Sequence, residues 1–336
     1  MTESFNPVFH TDAIRNKSVL ITGGAGFIGS NLVEYLIQHG ARKVRVLDNL
    51  SNGFLKNIEA FSNHPAFEFM EGDITNPQTC ALACEGMNLI SHQAALGSVP
   101  RSIAFPLPTH AANSTGFLNM LVAARDAGVE RFVYASSSSV YGDLADSPKS
   151  EARIGKALSP YAVSKYTDEL YAGVFALNYG MKVIGLRYFN VFGPRQDPNG
   201  PYAAAIPLFM DALLNDKDAY LNGDGEQTRD FTFVQNAVQA NVRAFFTENE
   251  QAFNRVYNVA VGENISVKKL FSMLAEIAGK DAQPLHRDDR PGDIRNSLAD
   301  ITLARTYLSY EPQVKLKEGL AVTFEWFSKT FGTVTK

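Results

Sequence analysis

Cysteine is nearly absent from this chain of 336 residues. Cys80 and Cys84 are its only two, with no further histidine or cysteine at zinc-ligand spacing. That excludes a disulfide framework, gives no reason to expect a metal site, and leaves two buried thiols as the simplest expectation. Long apolar runs are missing too. None approaches the roughly 18 residues of a membrane span, and the first sixteen residues lack the apolar core of a signal peptide. The sequence is therefore expected to be cytoplasmic, with no membrane insertion. A basic excess is also lacking, since 31 Lys and Arg stand against 35 Asp and Glu for a formal charge of -4. This argues against broad binding of nucleic acid or anionic membrane, so an anionic ligand would need local arginines. Internal repeats and low-complexity linkers do not occur.

The N-terminal half has a clear order. Lys17–Thr22 reads as a short buried strand running into Gly23-Gly-Ala-Gly26-Phe27-Ile28-Gly29, after which residues 31–39 have helical periodicity and Gly40 stops them. Glycine suits such a turn because the backbone must take positive φ and approach a pyrophosphate closely, while the helix amides meet the anion. The next strand, 43–47, ends in Asp48, about twenty residues after the last glycine, where a carboxylate binds adenosine ribose hydroxyls and repels a 2′-phosphate. NAD rather than NADP is the expected cofactor. Strand-like runs at 67–74, 88–95, 131–136 and 181–189 alternate with helical segments at 76–84, 109–127 and 160–179, which predicts a parallel, doubly wound α/β sheet. Asp73 and Ile74 end one strand and either reach the adenine or simply pack. Ala94 and Ala95 end another, as a small-residue cofactor wall or as core. His92 reads as a core histidine.

Tyr161 and Lys165 stand four residues apart on the 160–179 helix, so both project from one face, where an ammonium favours a phenolate. Ser159 and Pro160 suit the helix start. The serine run 136–139 ends the strand before it and brings a hydroxyl beside that tyrosine. After residue 190 the regularity loosens into a turn-rich stretch. Helices are expected near 206–215, 235–246, 266–278, 301–308 and 316–329, with strands near 219–222, 230–234 and 256–260.

Taken together, GGAGFIG, Asp48-Asn49, SSSVYG, YAVSK and Arg187-Tyr188-Phe-Asn190-Val-Phe-Gly193 resemble the extended short-chain dehydrogenase/reductase superfamily. The stretches 92–102, 190–200, 222–231 and 290–300 are similar to bacterial UDP-N-acetylglucosamine 4-epimerases. The resemblance implies a Rossmann-type NAD-binding domain over 1–190, with sheet strands contributed again near 230–260. It also implies a smaller α/β lobe over 191–336 that mainly binds the UDP-sugar. The implied reaction is a reversible inversion at C4 through a 4-keto sugar, with NAD regenerated in each turnover.

Residue by residue, the resemblance implies Tyr161 as the base, Lys165 beside the nicotinamide ribose and Ser137 on the reacting oxygen. Gly23, Gly26, Phe27, Ile28, Gly29, Asp48, Asn49, Asp73, Ile74, Ala94, Ala95 and Tyr188 would complete the cofactor site. Asn190, Asn222, Arg229, Arg290 and Asp293 match positions holding the nucleotide diphosphate, with Tyr220 against the uracil. Arg229 and Arg290 also read as solvated, and 290–293 as a plain turn. Gly97, Ser138, Asn190, Gln196, Ala204 and Ser297 would wall the sugar, with Ser98 and Arg101 nearby. Where related dehydratases carry Asp-Glu and related decarboxylases a glutamate, this chain has Ser138-Ser139. A UDP-hexuronate or UDP-N-acetylhexosaminuronate 4-epimerase is the nearest alternative, with Arg101 or another cation taking the carboxylate. An inactive NAD-binding regulator is an alternative of another class, which the intact Ser137, Tyr161 and Lys165 oppose. The resemblance also implies a homodimer built on the helices 109–127 and 160–179.

Overall fold

Residues 7–199, 203–288 and 295–332 are described by the computed structural model. Seven strands form one parallel sheet: β1 (Ser18–Thr22), β2 (Lys43–Asp48), β3 (Phe67–Glu71), β4 (Leu89–His92), β5 (Arg131–Ser137), β6 (Val183–Tyr188) and β7 (Arg255–Val259). Their order is β7-β6-β5-β4-β1-β2-β3, and every neighbouring pair runs parallel. Alternate side chains feed opposite faces, which is why the central strands read as continuous apolar runs. Val19 and Ile21 pack with α1 (Phe27–Gln38). Leu20, between them, packs instead with α2 (Pro77–Cys84) and α3 (Gly116–Asp126). Both thiols, Cys80 and Cys84, are free and buried in that second layer.

The order of the sheet reverses between β1 and β4. Crevices beyond the carboxyl ends of strands at such a switch point are where open α/β sheets bind ligands. Flanking it on the β5 side is α4 (Pro160–Tyr179), whose start follows the local chemistry closely: the Ser159 hydroxyl accepts from the Ala162 amide and Pro160 takes the first turn. Gly180, at φ +66°, ends it in the left-handed region.

The smaller lobe has its own core, built on α5 (Ala205–Leu214), α7 (Val267–Ala278) and α9 (Leu316–Phe331). Between them in sequence, α6 (Val234–Phe246) and α8 (Thr302–Leu308) pack with the main sheet. Two expectations change here. The strand expected over 230–234 is broken into Thr228–Arg229 and Thr232–Phe233, because Asp230 between them is buried and accepts the amides of Val261, Gly262 and Ala299. The helix expected over 109–127 is a short helix, Pro106–His110, then one wide π turn, Ala111–Thr115, before α3. Asn113 is turned inward in that turn and is fully buried.

A buried ionic connection crosses the core. On α4, Glu169 takes two parallel bonds from the Arg187 guanidinium on β6, at 2.8 and 2.7 Å. The Ser136 hydroxyl on β5 donates to the same carboxylate. Arg187 also lies over the Tyr141 ring, 4.9 Å from its centroid. The two ionic side chains are only 3% and 7% exposed, so each depends on the other for solvation. Glu169→Ala should destabilise the fold by about 3–5 kcal/mol in urea unfolding, because it strands a buried guanidinium. The double variant Arg187→Met/Glu169→Leu should recover most of that loss.

Candidate active site

A cleft of about 510 Å³ opens at the switch point, between the ends of β1, β2, β4 and β5. Its floor is the glycine turn. Gly23 holds φ +68°, and a Cβ there would stand 2.7 Å from the Ala94 backbone nitrogen. At Gly29 a Cβ would lie 2.2 Å from the Gly23 carbonyl oxygen. Only glycine allows the turn to fold this tightly beneath α1, whose cap Gly26 and first turn bring no side-chain oxygen or carboxylate to the amides. Those amides are available to a pyrophosphate.

Asp48 closes the next side. Its two carboxylate oxygens accept from the Ala25 and Leu50 amides at 2.9 and 2.8 Å. Burial raises this carboxyl, and the two amides oppose the shift. Each oxygen keeps a lone pair for a ribose hydroxyl. Asn49 donates to Asp73 at 2.8 Å, and Ile74, Ala94 and Ala95 continue the wall. The donor set, the tight turn and the anion-ready helix end fit a dinucleotide.

Ser137, Tyr161 and Lys165 line a further stretch of the cleft wall. The Ser137 hydroxyl accepts from the Ser139 amide at 3.1 Å, capping the single turn Ser138–Tyr141. Accepting there leaves its own proton for a ligand oxygen. Lys165 is 1% exposed. Its ammonium donates to the Ala135 carbonyl at 2.9 Å and to Asp168 at 3.1 Å. Burial raises the Asp168 carboxyl and the Lys165 ammonium pulls it back. Tyr188 also reaches the cleft, its hydroxyl accepting from Asn241 at 2.7 Å and from Gln93 at 3.1 Å.

Sequence reasoning missed the residues that hold this wall. Asn113, in the π turn, accepts the Leu96 amide at 2.8 Å and donates to Ser164, beside Lys165, at 3.0 Å. It thus joins the loop after β4 to α4, and the available signal was a polar Asn113-Ser114 pair inside an apolar helical stretch. Asp168 and Glu169 are the other two.

Among the proposed sugar-side residues, Gly97, Ser98, Asn190 and Gln196 line the cleft. Asn190 donates to the Asp230 carbonyl, and Arg101 donates to Asn52 at 2.7 Å. Ser138 lies in the turn after Ser137, and Ala204 caps α5. The others gather on the small lobe. There Tyr220 and Asn222 lie in a strand paired with Leu285–Arg287, Asn222 accepting from Arg287. Arg229 adjoins Thr228, whose carbonyl accepts the Ser297 amide. Arg290 and Asp293 lie outside the described residues. Among those described, no cluster of three or more His, Cys, Asp or Glu could hold a metal, and no helix is long and apolar enough to cross a membrane.

Residues 19–260 match the model of the NAD dependent epimerase/dehydratase family. The chain is 38% identical to a UDP-glucose 4-epimerase of Mycolicibacterium smegmatis over 310 residues, 92% of this chain and 97% of that one. A UDP-N-acetylglucosamine 4-epimerase from Methanobrevibacter ruminantium, solved with UDP-N-acetylmuramic acid, superposes with a TM-score of 0.88 at 38% identity, covering 94% of this chain and 99% of that one. A UDP-glucose 4-epimerase from Thermotoga maritima, solved with UDP-glucose, gives 0.87 at 37% identity over 93% and 99%.

His92 is the core residue the sequence suggested, with one qualification. Its Nδ1 is 3.0 Å from the Thr22 hydroxyl and its ring packs on Phe117 and Phe132, but Nε2 is buried without a partner. Burial pushes this imidazole from 6.5 down to about 3, with the Lys165 charge adding to the shift. A group lowered in this way favours the fold when neutral, so its contribution is complete above the ordinary histidine range and is lost progressively as pH falls through it. Going from pH 7 to pH 5 should cost about 2 kcal/mol through His92 alone. In His92→Asn, urea unfolding at the two pH values should lack that difference.

Proposed function

The chain belongs to the NAD dependent epimerase/dehydratase family and is an NAD-dependent UDP-sugar 4-epimerase, and on that premise we propose that its substrates are UDP-GlcNAc and UDP-GalNAc. When bound, NAD supplies the hydride acceptor that makes C4 a ketone and returns the hydride within the same turnover. In the proposed scheme Tyr161 takes the proton of the C4 hydroxyl as a phenolate, which the Lys165 ammonium favours, and gives it back to the epimer. Ser137 donates its hydroxyl proton to the same oxygen. The small lobe, through Asn222 and Arg229, holds the diphosphate while the sugar turns its other face to the cleft.

The observation that carries the choice of an acetylated sugar is room. At Gly97 on the cleft wall, an added Cβ would meet nothing within 4 Å. Gln196, on the same wall, has a buried Oε1 without a partner, an acceptor suited to an acetamide N–H. Ser138 and Asn190 are its other candidate partners. Ser297 is a small residue where, by resemblance, relatives restricted to plain hexoses carry a tyrosine. Arg101, one of the cations that could take a uronate, donates to Asn52. The proposal includes a cytoplasmic setting, consistent with two free thiols. It also includes a homodimer, supported by the outward stripe Val163, Leu170, Val174 and Leu177 at helical spacing on α4, all half or more exposed.

Two measurements test these readings. Purified protein incubated without added NAD should interconvert UDP-GlcNAc and UDP-GalNAc faster than UDP-Glc and UDP-Gal, as read by NMR of the products, and leave the uronates untouched. Ser297→Tyr should cut turnover of the acetylated pair about 10- to 100-fold while sparing the plain hexoses, since overpacking a pocket costs about 1–3 kcal/mol. A parent rate on UDP-GlcNAc in that variant would sink the specificity argument. Light scattering at micromolar concentration should give twice the chain mass, and a monomer would end the dimer proposal.

A further inference from the structure

Asp168 has no part in the reaction as described, yet it is fully buried and paired with a residue that does. Taking a carboxylate out of water is costly, and a buried ion pair recovers that cost only when its geometry and remaining hydrogen bonds are good. Here the pairing is incomplete: Oδ2 is 3.1 Å from the Lys165 ammonium, and Oδ1 is buried with no partner. An apolar side chain could fill this volume without such a cost. What a carboxylate adds here is charge.

We propose that Asp168 is a positioning residue for the reaction: it fixes the Lys165 ammonium against the end of β5 and offsets part of the positive field that Tyr161 feels. The donor count supports this. An ammonium has three N–H groups, and Ala135 and Asp168 take two of them on the protein side. One remains for the cleft that Lys165 lines. Asp168 lies three residues beyond Lys165 and Tyr161 four before it, so all three share one face of α4.

The other charged or titratable groups around the pair are accounted for. His92 on β4 is held neutral by burial. Tyr134 on β5 has its hydroxyl raised well above the ordinary range by burial, the Glu169 and Asp168 charges adding to the shift. Glu169 is engaged by Arg187 of β6. Among the described residues, Asp168 is the anion bonded directly to the ammonium. Removing a negative charge favours proton loss from every acid near it, so the phenol and the ammonium should both release protons at lower pH.

This inference rests on the reading of Tyr161 as the base, and the test separates the two. Asp168→Asn keeps the shape and removes the charge. Asp168→Ser removes it with a smaller side chain, in case the amide is not accommodated. The kcat/KM–pH profile of the NAD-loaded enzyme on its best UDP-sugar should move to lower pH in whichever variant folds, by about one unit on the alkaline limb, where Asp168 is ionised, and by less on the acid limb, where burial favours its protonated form. A profile that stays in place, with or without loss of rate, or that moves upward, overturns the proposal and leaves Asp168 a packing residue, as does failure of both variants to fold. Tyr161→Phe, run alongside, should lose about 10²- to 10⁴-fold in turnover. If it does not, the base assignment fails independently of Asp168.

Discussion

The cleft depends first on the forked bond between Arg187 and Glu169. Tyr161 and Lys165 are carried by a helix and Ser137 by a strand end, and in the proposed scheme the two elements must keep a fixed relation for a proton to pass between Tyr161 and a sugar. Apolar packing alone lets a helix slide or rotate by small amounts at low cost. A guanidinium fork accepts only one geometry. Because Glu169 also takes the Ser136 hydroxyl, one residue before Ser137, the carboxylate ties α4, β5 and β6 into one piece. The buried charges are what make this piece expensive to break and hence rigid.

Electrostatics in the wall follow from the same economy of burial. An acidic chain has to concentrate positive charge where it handles anions, and here one ammonium is sunk into the core behind the cleft. Its surroundings are arranged around that charge: a carbonyl and a carboxylate bond it directly, and a nearby imidazole is kept neutral. The glycine turn meets phosphate differently. It uses backbone amides and a helix end rather than side-chain charge, so the site needs no further cations at that position.

The parts legible in the sequence are those whose reason is local. The glycines of the 23–29 turn, the aspartate ending β2, the cap and proline opening α4 and the i,i+4 spacing of Tyr161 and Lys165 each express a constraint satisfied within a few residues. Glu169 was invisible because its partner lies eighteen residues on, in the next element, and only the packing of α4 on the sheet brings the two together. Asp168 looks like any helix-surface acid until the sheet covers it. Asp230 broke an expected strand because three amides converge on it from 261, 262 and 299. In each case the side chain is ordinary and its burial is what gives it meaning. The small-lobe residues are spread over several short strands, so their grouping is a property of the loops between them rather than of any motif.

The π turn at 111–115 gives the chain a form of information that no residue name carries. A wide turn holds one more residue than an α turn, and each residue in a helix accounts for about 100° of rotation. Upstream of it lies the segment leading back to Leu96 and the cofactor wall; downstream lies α3, locked into the core by Phe117, Met120 and Leu121. Loss of a single residue from the turn would keep every side chain's chemistry yet swing Asn113 away from both Leu96 and Ser164. For this part of the protein, length is as strictly specified as composition, and a gap in an alignment is a heavier change than a substitution.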